Sequence, residues 1–233
     1  MVPWNGAKKE RAVYRIINGT AEAEIEVKKS RFLAAVCCCR TEEAARSFLE
    51  SVRKQHFDAK HHCFALRIGA PKQVLERSSD DGEPQGTAGK PMLEILKGAE
   101  LYDVCAVVTR YFGGTLLGTG GLLRAYSDAL RAALSEADCQ ELKAGMRVSV
   151  CCDYAAANRL KYLAQQKGIF TENETYTDQC TFSYLLPGEE AEAFAEQVRE
   201  MSAGKAKTEM LGKVLYFGTE KPEVYRVPED GSR

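Results

Sequence analysis

Two periods of apolar positions run through this chain, and the places where one gives way to the other mark its elements. Alternating or continuous apolar runs at Tyr14 to Ile17, Ala23 to Lys28, Phe32 to Cys38, Cys63 to Ile68 and Val74 to Arg77 predict strands. The run Tyr102 to Val108 is too short and too β-branched to prefer helix. Helical spacing predicts Thr41 to Gln55, with Thr41 as N-cap and Glu42 and Glu43 favourably placed in the first turn. A short helix is expected around Pro91 to Leu96, and a longer one over Leu122 to Ala137, where Leu122, Leu123, Tyr126, Leu130 and Leu134 fall near one face.

After Gly145 the order is clearest. Met146 to Cys152 reads as a strand, Asp153 to Lys167 as a helix stopped by Gly168, then Ile169 to Tyr176 and Gln179 to Leu186 as strands around Thr177-Asp178. A helix over Glu189 to Met201 and a strand over Thr208 to Phe217 follow. Strand, helix, strand, strand, helix, strand is the split arrangement of a ferredoxin-like βαββαβ domain. The fold class expected is therefore α+β, with an N-terminal α/β domain over 12–137, a link near Glu136 to Gly145, and the ferredoxin-like domain over 145–218.

Composition narrows the classes. With 233 residues, 45% apolar content and a net charge of −1 from 32 basic and 33 acidic residues, the chain suits a folded protein with no global attraction to nucleic acid or membrane. Met1 to Glu10 lacks a secretory core and no apolar run is long enough to span a bilayer, which predicts a cytoplasmic protein without membrane partners. The nine cysteines lie inside strand-like runs such as Ala35 to Cys39 and are read as reduced thiols. His56, His61 and His62 lack a second cluster at zinc spacing, so neither a metal nor a cofactor is expected. Arg53, Lys54, Lys60, Arg67, Lys72 and Arg77 crowd residues 51–79 and suggest a positive face.

Candidate chemistry sits in two glycine-rich islands, Ser78 to Pro91 and Thr109 to Leu122, which hold three and five of the 19 glycines. Such density suggests left-handed backbone or close approach to a partner. The second island joins a strand to a helix, where backbone N–H groups and the helix dipole favour anions. Gly113, Gly114, Thr119, Gly120 and Gly121 are the positions concerned. Arg110 adds a planar two-toothed grip on phosphate or carboxylate, and Lys90 a mobile point charge. Neither the Walker spacing nor the dinucleotide fingerprint is complete, and close helix–sheet packing explains the same glycines. Asp80, Asp81 and Glu83 suit an acid and base, a divalent-cation site that lacks the calcium-loop spacing, or a turn before Pro84, and the turn is favoured. No nucleophile elbow or triad is recognisable.

The run Asp80 to Met92 together with Val107 to Tyr126, preceded by His61-His-Cys-Phe-Ala65, resembles the signature of the YigZ/IMPACT family, and the resemblance covers roughly residues 12–217. It implies an N-terminal domain similar to domain IV of elongation factor G and a C-terminal domain similar to that factor's domain V. Both similarities imply the translation apparatus. No catalytic residue is carried over by the resemblance; His61, Asp80, Asp81, Glu83, Lys90, Arg110, Tyr111 and Thr119 enter as matching site positions. The function expected is a translation-associated regulatory or binding protein recognising RNA, the ribosome or another phosphate-bearing partner. The alternative is an enzyme acting on a small phosphorylated or carboxylated metabolite, so whether catalysis occurs stays open at this point.

Overall fold

A computed structural model describes residues 14–218 and 221–226; Met1 to Glu10, and the first residues of the domain expected from residue 12, lie outside these. The chain divides into two compact units, residues 1–141 and 142–233. In the first, the order is β1 (Tyr14–Ile17), β2 (Thr20–Val27), β3 (Ser30–Cys38), α1 (Glu42–Gln55), β4 (His61–Ala70), β5 (Gln73–Ser79), α2 (Gly89–Gly98), β6 (Val104–Tyr111) and α3 (Gly118–Glu136). Its five-stranded sheet runs β2-β3-β6-β4-β5 with every neighbour antiparallel.

The apolar run of β6 is continuous because both sheet faces are covered. Val104, Ala106 and Val108 pack with Met92 and Leu96 of α2 and with Leu122, Tyr126 and Leu130 of α3. Cys105 and Val107 pack on the opposite side against Ala45, Leu49 and Val52 of α1. Thr41 caps α1 by accepting from the Ala44 N–H at 3.1 Å, as its sequence position predicts.

The second unit continues β7 (Cys139–Cys152) into α4 (Tyr154–Gln166), β8 (Phe170–Tyr176), β9 (Cys180–Pro187), α5 (Ala191–Met201), β10 (Lys207–Phe217) and β11 (Glu223–Arg226). The order β10-β7-β9-β8, antiparallel throughout, is that of a ferredoxin-like βαββαβ sheet, with β11 added beyond β10. Val148, Val150, Phe182 and Tyr184 meet Leu160 of α4 and Phe194 of α5 in its core. The expected link at Glu136 to Gly145 is not a loop: β7 begins at Cys139, and Lys143 to Tyr216 is already a register pair. Polar residues such as Glu141 and Lys143 hide a strand whose partner lies far along the chain. All nine cysteines are free. Among the described residues no helix is long and apolar enough to cross a membrane, and no group of three His, Cys, Asp or Glu is placed to hold a metal ion.

Candidate functional site

The first island is folded around one carboxylate. Asp80 accepts from the Gly86 N–H at 2.8 Å, the Ala88 N–H at 3.0 Å and the Gly89 N–H at 2.8 Å, so it folds the loop back and satisfies the open amides at the start of α2. Burial pushes this carboxyl upward, but the bonds from Gly86, Gly89 and Ala88 outweigh it and hold Asp80 below its ordinary range. Gly89 is required by contact: a Cβ there would stand 2.7 Å from the Ser79 backbone. Asp81, at φ 44°, accepts from the His62 N–H at 2.7 Å and from Arg53 at 3.2 Å, while its carbonyl takes the His61 Nδ1–H at 2.9 Å.

Glu83 ties the two islands together. Its Oε1 accepts from Arg110 Nη1 at 2.7 Å and from the Tyr126 hydroxyl at 2.8 Å, with the Arg110 and Glu83 side chains only 7% and 4% exposed. The placement follows from register. Arg110 lies in β6 and alternates with Thr109, so it shares the α2 and α3 face with Val108. Beneath the pair, burial pushes the Cys63 thiol up to about 12 and drives the Tyr126 hydroxyl upward as well, reinforced there by Cys63 and Glu83. Cys63 Sγ donates to the Asp80 carbonyl at 2.9 Å.

The second island leaves the sheet under constraint and then opens. A Cβ on Gly113 would lie 2.0 Å from the Lys29 carbonyl carbon and 2.3 Å from the Ser30 nitrogen, and the Gly113 N–H donates to Ser30 Oγ at 3.1 Å. This pins the island to the β2–β3 turn, where Lys28 and Lys29 sit at φ 49° and 65° with exposed side chains. The turn has two residues between the paired Val27 and Ser30, the geometry in which Asn-Gly is usual. Beyond Gly113, Gly114, Thr115, Gly118, Thr119 and Gly120 are exposed, and Leu116 is 84% exposed. The first turn of α3 has no side-chain cap, and a Cβ on Gly120 would meet nothing within 4 Å.

A corner of histidines closes the remaining side. Tyr111 donates its hydroxyl to Asp58 at 2.9 Å and so accepts from His56 Nδ1 at 3.1 Å, while His62 Nε2 donates to the His56 carbonyl at 3.1 Å. Burial, then the bond to Asp58, raises the Tyr111 hydroxyl.

His61, Asp81, Glu83 and Arg110 thus meet where the islands touch, and Asp80 lies beneath them as a loop former. Lys90 is exposed at the start of α2, and Thr119, Gly120 and Gly121 occupy the first turn of α3. Arg110 differs from the free grip expected of it, because Glu83 neutralises it. The basic run at residues 51–79 does not form a bare positive face either: Arg53 pairs with Glu50 and Asp81, Arg67 with Glu76, and Arg77 with Glu42. Sequence reasoning missed Lys28, Lys29 and Phe112. The lysines carry one signal, a two-residue gap between alternating runs, but Lys-Lys is not a familiar turn pair.

Two compact α+β units, the second ferredoxin-like, define the class of protein. The chain matches the Impact N-terminal domain over residues 28–134 and the family described as "Domain of unknown function (DUF1949)" over residues 150–205. IMPACT family member YvyE of Bacillus subtilis is 36% identical over 193 residues, covering 83% of this chain and 88% of the relative. IMPACT family member YigZ of Escherichia coli is 39% identical over 180 residues, covering 77% and 88%. A solved structure titled "Crystal structure of an hypothetical protein" is 36% identical, with a TM-score of 0.56 over 84% of this chain and 96% of that one. The chain belongs to the IMPACT family.

Proposed function

We propose that this chain is a translation-associated regulatory protein of the cytoplasm that recognises RNA or another phosphate-bearing partner through the edge formed by the second island and the β2–β3 turn. Family membership, and the similarity to domains IV and V of elongation factor G that the family resemblance implies, favour the ribosome as the setting. The observation that carries this reading is one exposed island that is pinned at Gly113 to the exposed Lys28-Lys29 turn and ends in the uncapped first turn of α3. Amides at a helix start and two lysine charges favour the same kind of guest, a phosphate oxygen. Gly120 fits this reading because no described residue crowds its open side, which leaves room for a partner's backbone. The molecule's net charge of −1 makes the local edge the relevant field.

The test is binding of labelled single-stranded RNA by anisotropy, with ribosome pelleting in parallel. Reversing both charges, Lys28→Glu with Lys29→Glu, should weaken binding by about tenfold or more, since phosphate contacts dominate such affinity. Equal binding by wild type and the double variant overturns the proposal.

A further inference from the structure

The segment between α1 and β4 and the end of β6 enclose a separate cleft of about 480 Å³, lined by Asp58, Lys60, His61, Arg110, Tyr111 and Phe112. That volume lies in the range of small-ligand sites. Three features give the cleft a chemical preference. The Phe112 ring is 58% exposed at the point where β6 ends. The Arg110 guanidinium lies 5.6 Å from the Phe112 ring centroid, makes one hydrogen bond, to Glu83, and keeps its Nε buried without an acceptor. Lys60 is exposed and has no ion pair among the described residues. Asp58, also in the lining, accepts from the Tyr111 hydroxyl and keeps its negative charge, so Lys60 is where an anionic group is favoured. His61 is held by its Nδ1–H bond to the Asp81 carbonyl, so Nε2 is the ring nitrogen left for a guest.

An open aromatic face beside the unpaired Lys60 ammonium, with the Glu83-paired Arg110 guanidinium as a further N–H donor, suits a flat ring that bears an anionic group. We infer that this cleft receives one nucleoside monophosphate unit, its base stacked on Phe112 and its phosphate drawn to Lys60. The unit is either a free nucleotide or one residue of a single-stranded RNA, and the second case rests on the RNA reading proposed above. The cleft adjoins the glycine edge at Phe112 and Gly113, but Lys28 and Lys29 are not in its lining, so the two sites are separable by substitution.

The full chain is titrated with AMP, CMP, GMP and UMP by calorimetry, and with a labelled RNA oligonucleotide by anisotropy. The variants are Phe112→Ala and Lys60→Ala, both exposed, with thermal melts to confirm unchanged folding. One-to-one saturable nucleotide binding, weakened about tenfold by Phe112→Ala, is the expected result. If nucleotides bind in this way but RNA does not, the cleft stands with a free nucleotide as its ligand and the RNA reading falls. If RNA binds and is weakened by the Lys28 and Lys29 reversals but not by Phe112→Ala or Lys60→Ala, the RNA reading stands and the cleft takes no RNA residue; it then stands only if Phe112→Ala weakens saturable nucleotide binding, and is refuted otherwise. Absence of saturable nucleotide binding together with unchanged RNA affinity in both cleft variants also refutes it.

Discussion

Asp80 and Glu83 sit three positions apart in the chain and do different work. Asp80 saturates three amides, and removing it strands one in the loop at Gly86 and two at the start of α2. Asp80→Ala should cost about 3 kcal/mol, read as a lower urea midpoint at unchanged slope. Its depressed pKa also sets a sign: the folded state binds fewer protons than the unfolded chain, so this stabilisation is present above about pH 4 and is lost as the pH falls through the folded value. Asp80→Asn should flatten that acid limb in melts taken from pH 6 to pH 2, as roughly placed by the ordinary Asp range. Glu83 instead neutralises a buried guanidinium. Glu83→Ala leaves Arg110 uncompensated and should destabilise by about 3–5 kcal/mol, whereas Glu83→Leu with Arg110→Met and Tyr126→Phe, which removes the hydroxyl that Glu83 also holds, should recover most of the loss in the same assay.

At the scale of elements, α3 separates the two explanations of its glycines. Gly118 has φ 70°, a conformation that disfavours any side chain, whereas Gly120 has neither positive φ nor a crowding neighbour. Gly120→Ala should therefore raise stability by about 1 kcal/mol through helix propensity, and Gly118→Ala should lower it by a similar amount. On the proposed function, the more stable Gly120→Ala protein binds RNA less well, because the methyl group occupies the partner's space; thermal melts and anisotropy on one preparation test both halves. The same helix marks what periodicity reveals. Its core face was legible at Leu122, Tyr126, Leu130 and Leu134, although Leu123, expected on that face, is 43% exposed; its first turn was not, because glycine weakens the helical signal and packing of Leu122, Ala125 and Tyr126 sustains the turn regardless. Likewise β6 was legible up to Val108, yet pairing carries it to Tyr111 opposite Arg31, and to Arg110 opposite His61. That extension puts Arg110 inside a sheet instead of in a loop. Sequence located the meeting of the islands through Asp81, Glu83 and Arg110; it could not reveal that Glu83 would claim Arg110, since ion pairs across 27 positions leave no periodic trace. Strand β11 escaped for a similar reason, being four residues long and dependent on β10 for its pairing.

For the whole molecule, near-neutral charge makes binding local. With a net charge of −1, affinity for single-stranded RNA should fall with salt at a log–log slope of about −2, as expected for roughly three phosphate contacts. Anisotropy over a series of potassium chloride concentrations measures it, and a flat response would exclude phosphate contacts as the source of binding. The junction at Gly113 bears on the chain as a heritable text. The atoms that a larger residue would strike, the Lys29 carbonyl and the Ser30 amide nitrogen, belong to every amino acid alike. Exchanging the side chain at either of those positions therefore gives no relief, and a genetic search for suppressors of Gly113→Ala should return reversion to glycine or altered loop lengths, never a compensating swap at residues 29 or 30.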